Sequence, residues 1–107
     1  MLESPQGRSN SFAFVHGEMD GKHVLHVFGE LDLSNAKEFE TAIAAAGDAL
    51  PLVIDLSPCT YIDSSILAVI SRVHKQRGMR LFLLVPETGV IRRVLQVTGM
   101  TEVLQLL

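Results

Sequence analysis

Cysteine is almost missing from this sequence: Cys59 is the single one in 107 residues. No internal disulfide can form, and no Cys/His spacing suits zinc. A lone thiol in an apolar stretch reads as buried and inert, because a redox switch needs a second cysteine or a partner molecule. Long apolar runs are missing too, and the start, "MLESPQGRSNS", lacks the charged-then-apolar pattern of a signal peptide. The expectation is a cytoplasmic protein without membrane insertion. Positive charge is not in excess: 9 Lys and Arg stand against 12 Asp and Glu, for a net charge of -3. General nucleic-acid affinity is therefore not expected. The densest basic group, Arg72, Lys75, Arg77 and Arg80, falls at the end of an expected helix, where it complements the helix dipole.

The signatures of catalysis are also absent. No glycine-rich phosphate cradle occurs, and no serine stands in a G-x-S-x-G elbow. A nucleophilic serine needs a base, yet His16, His23 and His26 fall on an N-terminal hairpin and His74 near the far end of another element. His23 and His26, an odd interval apart on one strand, point to opposite faces and so do not form a two-ligand metal site. No catalytic residue, metal or cofactor is expected.

What is present is ordinary for a globular protein: 48% hydrophobic and 20% charged residues, enough for one domain with a real core. Residues 1–10 are polar, with Pro5 and Gly7, and read as a disordered lead-in; residues 11–107 form the domain. "SFAFVHGEMDGKHVLHVFGEL" reads as two strands joined at Asp20-Gly21, a pair suited to a tight hairpin turn. In "SNAKEFETAIAAAGDAL" the apolar residues Ala36, Phe39, Ile43, Ala46 and Leu50 recur at helical spacing, with Ser34 as N-cap. "PLVIDL" and "RLFLLV" are short apolar runs typical of buried strands. Between them, Ile66, Ile70 and Val73 mark a helix that starts at Ser64 and stops at Gly78. Ile91, Val94 and Leu95 mark a third helix ending at Gly99, and "TEVLQLL" offers a last short strand. The order β-β-α-β-α-β-α, with a possible final strand, describes an α/β fold: a mixed, mostly parallel sheet with an N-terminal hairpin and three helices packed on it.

Two polar spots interrupt this pattern. In "YIDSSIL", Asp63 precedes the second helix and makes a good N-cap, which sets Ser64 and Ser65 in the first turn beside free N–H groups and the positive end of the dipole. Read alone, the three residues are a helix cap; read with the charge a phosphate adds, they are a place for a binary switch. In "GELDLSNA", Glu30 and Asp32 end the second strand. Functional loops of such sheets gather beyond the carboxyl ends of parallel strands, so this segment and Cys59–Ser65 are expected side by side, with Leu33 and Ile62 exposed.

Taken in order, "GELDLSNA", "LVIDLSPCTYIDSSIL" and "GVIRRVLQVTGM" resemble the STAS domain, the anti-sigma factor antagonist fold, from about Phe12 to the C-terminus. The family's middle motif reads D-S-S/T-G-L with its first serine phosphorylated, and that serine corresponds to Ser64. The resemblance implies a partner-switching protein. It would bind an anti-sigma factor that is a serine kinase, free a sigma factor, lose that complex on phosphorylation and regain it through a PP2C-type phosphatase. Asp32, Leu33, Ile62, Asp63, Ser64, Ser65 and Ile66 form the expected partner-binding surface, and Ser65 is the second acceptor candidate. An alternative role within the family is a structural subunit of an ABC lipid-transport complex, docked on the ATPase subunit. Oligomeric state is left open by the pattern. The sequence departs from the family motif at Ile66, where glycine is usual. Pointing inward, Ile66 is a harmless helix residue; pointing outward, it stands in the way of the usual kinase.

Overall fold

A computed structural model describes residues 11–107; the expected lead-in, residues 1–10, lies outside them. Strand β1 (Phe12–Met19) pairs antiparallel with β2 (Lys22–Leu31). The turn between them forms at the expected place, because Asp20 and Gly21 both adopt positive φ, 51° and 75°. At the other end of the hairpin, Gly29 (φ 90°) admits the approach of the preceding chain: a Cβ there would lie 1.9 Å from the carbonyl oxygen of Ser11.

Helix α1 spans Ala36–Ala45 and is followed by strand β3 (Leu52–Asp55), then β4 (Cys59–Ile62) and helix α2 (Ser64–Arg77). Strand β5 (Leu81–Leu84) and helix α3 (Val90–Val97) complete the regular elements. The sheet runs β1-β2-β3-β5, and all pairings except the hairpin are parallel. Strand β4 was not foreseen. It continues the line of β3 along the same edge of β2, pairing Glu30 with Tyr61 and Leu31 with Ile62 after a register shift at Gly29 and Glu30.

Three boundaries also differ from expectation. Helix α1 ends before Gly47 (φ 70°), so Leu50 lies beyond it. Ser34 does not cap α1; it belongs to a short 3-10 turn, Leu33–Asn35, whose N-cap is Asp32. The final strand is reduced to a single parallel bridge between Leu83 and Leu106. Of the basic group, Arg77 donates to the Gly47 carbonyl and Arg80 to that of Asp48, so both tie α2's end to the chain leaving α1. Arg72 instead pairs with Glu40 of α1.

One face of the sheet carries the core. Leu25, Val27, Leu31, Leu52, Ile54, Leu81 and Leu83 alternate onto it and meet Phe39 and Ile43 of α1, Ile66 and Ile70 of α2, and Ile91 and Leu95 of α3. Cys59 lies in this core, and burial pushes its thiol pKa up, as an inert thiol requires. On the opposite face, His26 and Asp55 stand on paired strands with Nδ1 and Oδ2 2.7 Å apart. Burial alone would raise the Asp55 pKa. The Ser57 N–H (2.9 Å) and His26 outweigh it and hold the pKa below the ordinary value of 3.8.

A carboxyl whose folded pKa is depressed stabilises the fold above its unfolded pKa and loses that contribution as pH falls. Asp55→Asn should therefore lower stability near neutrality and make the decline below about pH 4 shallower, as read by urea unfolding across pH. An acid limb identical to that of the wild type would contradict this role of Asp55.

Candidate functional site

Parallel strands β2 and β4 end side by side, and each hands the chain to a turn opened by an aspartate. In the first turn, Asp32 Oδ1 accepts from the Ser34 N–H (2.9 Å) and from the Ser34 hydroxyl (2.6 Å). Asn35 completes a reciprocal cap: its Oδ1 accepts from the Asp32 N–H (2.8 Å), and its Nδ2 donates to the Glu30 carbonyl (3.0 Å). Asn35 is buried, so these bonds fix a polar side chain that would be costly to leave unsatisfied.

In the second turn, Asp63 holds an extended backbone (φ -116°, ψ -174°) and caps α2. Its Oδ1 accepts from the N–H groups of Ser65 (3.0 Å) and Ile66 (3.3 Å) and from the Ser65 hydroxyl. Its Oδ2 reaches across to accept from the Leu33 N–H (3.1 Å). One carboxylate thus starts a helix and clamps the neighbouring turn. The expected adjacency of the two segments is present, with Asp63 as the tie.

Asp32, Leu33, Ser34, Tyr61 and Asp63 line a shallow depression of about 420 Å³ between these turns. Leu33 is 75% exposed and Tyr61 45%, so two apolar side chains stand out beside two carboxylates. Ser64 is exposed at the first position of α2, and its hydroxyl is hydrogen-bonded to none of the described residues. Ser65 is half-buried, with its hydroxyl engaged by Asp63.

A family model described as "Mlab, STAS domain" matches residues 16–107. The chain belongs to the STAS domain family. Among solved structures, this STAS domain is similar to an anti-sigma factor antagonist from Mycobacterium paratuberculosis, with 29% identity and a TM-score of 0.80 over 90% of this chain and 85% of the other. A putative anti-sigma factor antagonist from Thermotoga maritima shares 23% identity and a TM-score of 0.66, covering 87% of this chain and 84% of its own. The phosphorylated form of SpoIIAA, a Bacillus cell fate determinant, shares 22% identity and a TM-score of 0.60 over 89% and 91%. The last two likenesses speak for the fold. None of the curated proteins compared with the chain matches it.

The structure sorts the expected surface residues of this STAS domain into two sets. Asp32, Leu33, Asp63, Ser64 and Ser65 come together at one edge. Ile62 and Ile66 do not present themselves there: they are 2% and 0% exposed. Ile62 sits opposite Leu31 with its side chain on the helix-covered face, and Ile66 enters the core from the first turn of α2. The inward alternative for Ile66 is the one the fold adopts. Of the N–H groups expected to be free beside the serines, those of Ser65 and Ile66 are taken, because Asp63 accepts from both. Sequence reasoning passed over Tyr61 and Asn35; the Asp32-x-x-Asn35 spacing is the signal that would have found the second.

Replacing the clamp tests this geometry. Asp63→Ala should cost about 0.5–2 kcal/mol in denaturant unfolding and speed amide exchange at Leu33 together with Ser65 and Ile66. Faster exchange confined to α2 would show that the cross-turn bond to Leu33 carries no weight.

Proposed function

We propose that this STAS domain is an anti-sigma factor antagonist. It binds an anti-sigma factor that is also a serine kinase, releases the sigma factor, and is switched off by a phosphate on Ser64 that a PP2C-type phosphatase removes. The observation that carries the reading is the exposed Ser64 hydroxyl beside a helix cap that is already complete. Ser65, the other acceptor candidate, spends its hydroxyl on Asp63. The similarity to the mycobacterial antagonist supports the same role.

The chemistry of the edge fits such a switch. Leu33 and Tyr61 offer apolar anchors, and the Asp63 carboxylate beside them favours a basic group on the partner. A phosphate on Ser64 adds about 1.5 to 2 negative charges. It meets the positive end of the α2 dipole, but the N–H groups of Ser65 and Ile66 are already bound to Asp63, so it stays at the surface beside a carboxylate. Unit charges about 4 Å apart interact by roughly 1 to 4 kcal/mol near a surface, and 1.4 kcal/mol is a factor of ten in affinity. The fold survives this change while docking does not. Isoleucine in place of the family's glycine leaves the edge open, since Ile66 is buried beneath it.

Affinity for the anti-sigma factor encoded in the same host, measured by calorimetry, tests the switch. Ser64→Asp should fold normally and bind at least about tenfold more weakly, whereas Ser64→Ala should bind about as tightly as the wild type. Equal binding by all three would sink the proposal. A stable complex with a transport ATPase, indifferent to position 64, would instead support the structural-subunit role.

A further inference from the structure

All three helices pack on one face of the sheet; among the described residues no helix covers the other. That open face carries Val15, Met19 and Phe28, which are 49%, 46% and 42% exposed. Single exposed apolar residues are ordinary, but three on adjoining strands of one flat face form a patch. Val15 stands opposite His26, and Met19 opposite Lys22. The floor beneath them is firm: Val24 and Val53 are buried, His26 is bonded to Asp55, and the Lys22 ammonium lies 5.5 Å from the centre of the Phe82 ring.

We propose that this open face docks on the same face of a second copy of the chain, about a two-fold axis passing beside His26. The charges on β2 single out a second copy as the partner. Lys22 and Glu30 lie on the same strand, four residues before and four after His26, and side chains at even intervals share a face. They carry opposite signs, and neither enters an ion pair among the described residues. When two β2 strands run antiparallel across a two-fold axis at His26, each Lys22 is directed toward the other copy's Glu30. A closed dimer requires a patch that is complementary to itself, and opposite charges equidistant from a central axis meet that condition. An unlike partner requires no such symmetry.

The dimensions agree. Packed sheets lie about 10 Å apart, a gap that a lysine and a glutamate reaching from opposite sides can close. Gly17 lies beside His26 and adds no side chain over its ring; a Cβ there would be 3.7 Å from Nε2. The centre of the face is therefore low, and the flanking Val15 and Phe28 of one copy settle against the other. Apolar burial supplies the affinity, while the two Lys22–Glu30 pairs set orientation and exclude unlike partners.

Sedimentation analysis of the full chain tests the proposal, with circular dichroism melts to confirm that each variant folds. The wild type should dimerise, and Val15→Glu should remove the dimer. Lys22→Glu and Glu30→Lys should each weaken association about tenfold or more, since each sets like charges face to face twice per dimer. The double variant K22E/E30K should return to within about threefold of the wild type, because the swap restores both pairs. A wild type that stays monomeric up to about 1 mM overturns the proposal, as does a double variant no stronger than the single ones.

Discussion

The carboxylate of Asp63 is the point on which the proposed docking edge depends. One of its oxygens collects the N–H groups that open α2, and the other takes the Leu33 N–H from a turn thirty residues earlier. Without the first set, the helix begins with unsatisfied donors. Without the second, the turn that presents Leu33 and Asp32 loses its tie to the turn that presents Ser64. Asn35 does for the first turn, from below, what Asp63 does for the second from above. Together they hold an exposed leucine, an exposed serine and two carboxylates in fixed relation, which is what a docking surface needs before a partner arrives.

Beneath this edge the structure separates support from presentation. Ile62 and Ile66 are apolar neighbours of the serines in sequence, yet both turn into the core, and α2 starts from a buried footing. The isoleucine at the family's glycine position thereby gains packing and takes nothing from the surface. A charge added at Ser64 changes what the edge presents and leaves the core contacts untouched. That division is what the proposed switch requires: a change at the surface that does not act on stability.

Much of this was legible in the sequence because each signal had one local cause. Asp20-Gly21 accepts positive φ, the 3.6-residue stripes of α2 and α3 face one core, and Gly78 and Gly99 end those helices. Strand β4 escaped notice because "CTYI" buries only its first and last residues and follows Pro58. Its pairing with β2 carries an irregularity, Thr60 standing as an extra residue between the Gly29–Cys59 and Glu30–Tyr61 pairs, that no local pattern announces. The capping role given to Ser34 belongs to Asp32, since a 3-10 turn inserted before α1 moved the cap by two residues. Burial of Ile62 was hidden for a related reason: its face is set by strand pairing with Leu31, whereas the sequence places it in a loop. Which serine keeps a free hydroxyl also depended on the fold, because only the geometry of Asp63 decides that Ser65 is the one engaged.

The most direct measurement is peptide mass spectrometry of the protein isolated from its own host, with and without stress, following the peptide that carries Ser64 and Ser65. The expected result is a phosphate on Ser64 that appears and disappears with condition, with Ser65 unmodified. A phosphate carried by Ser65 alone, or none under any condition while the protein remains in a stable complex, would contradict it.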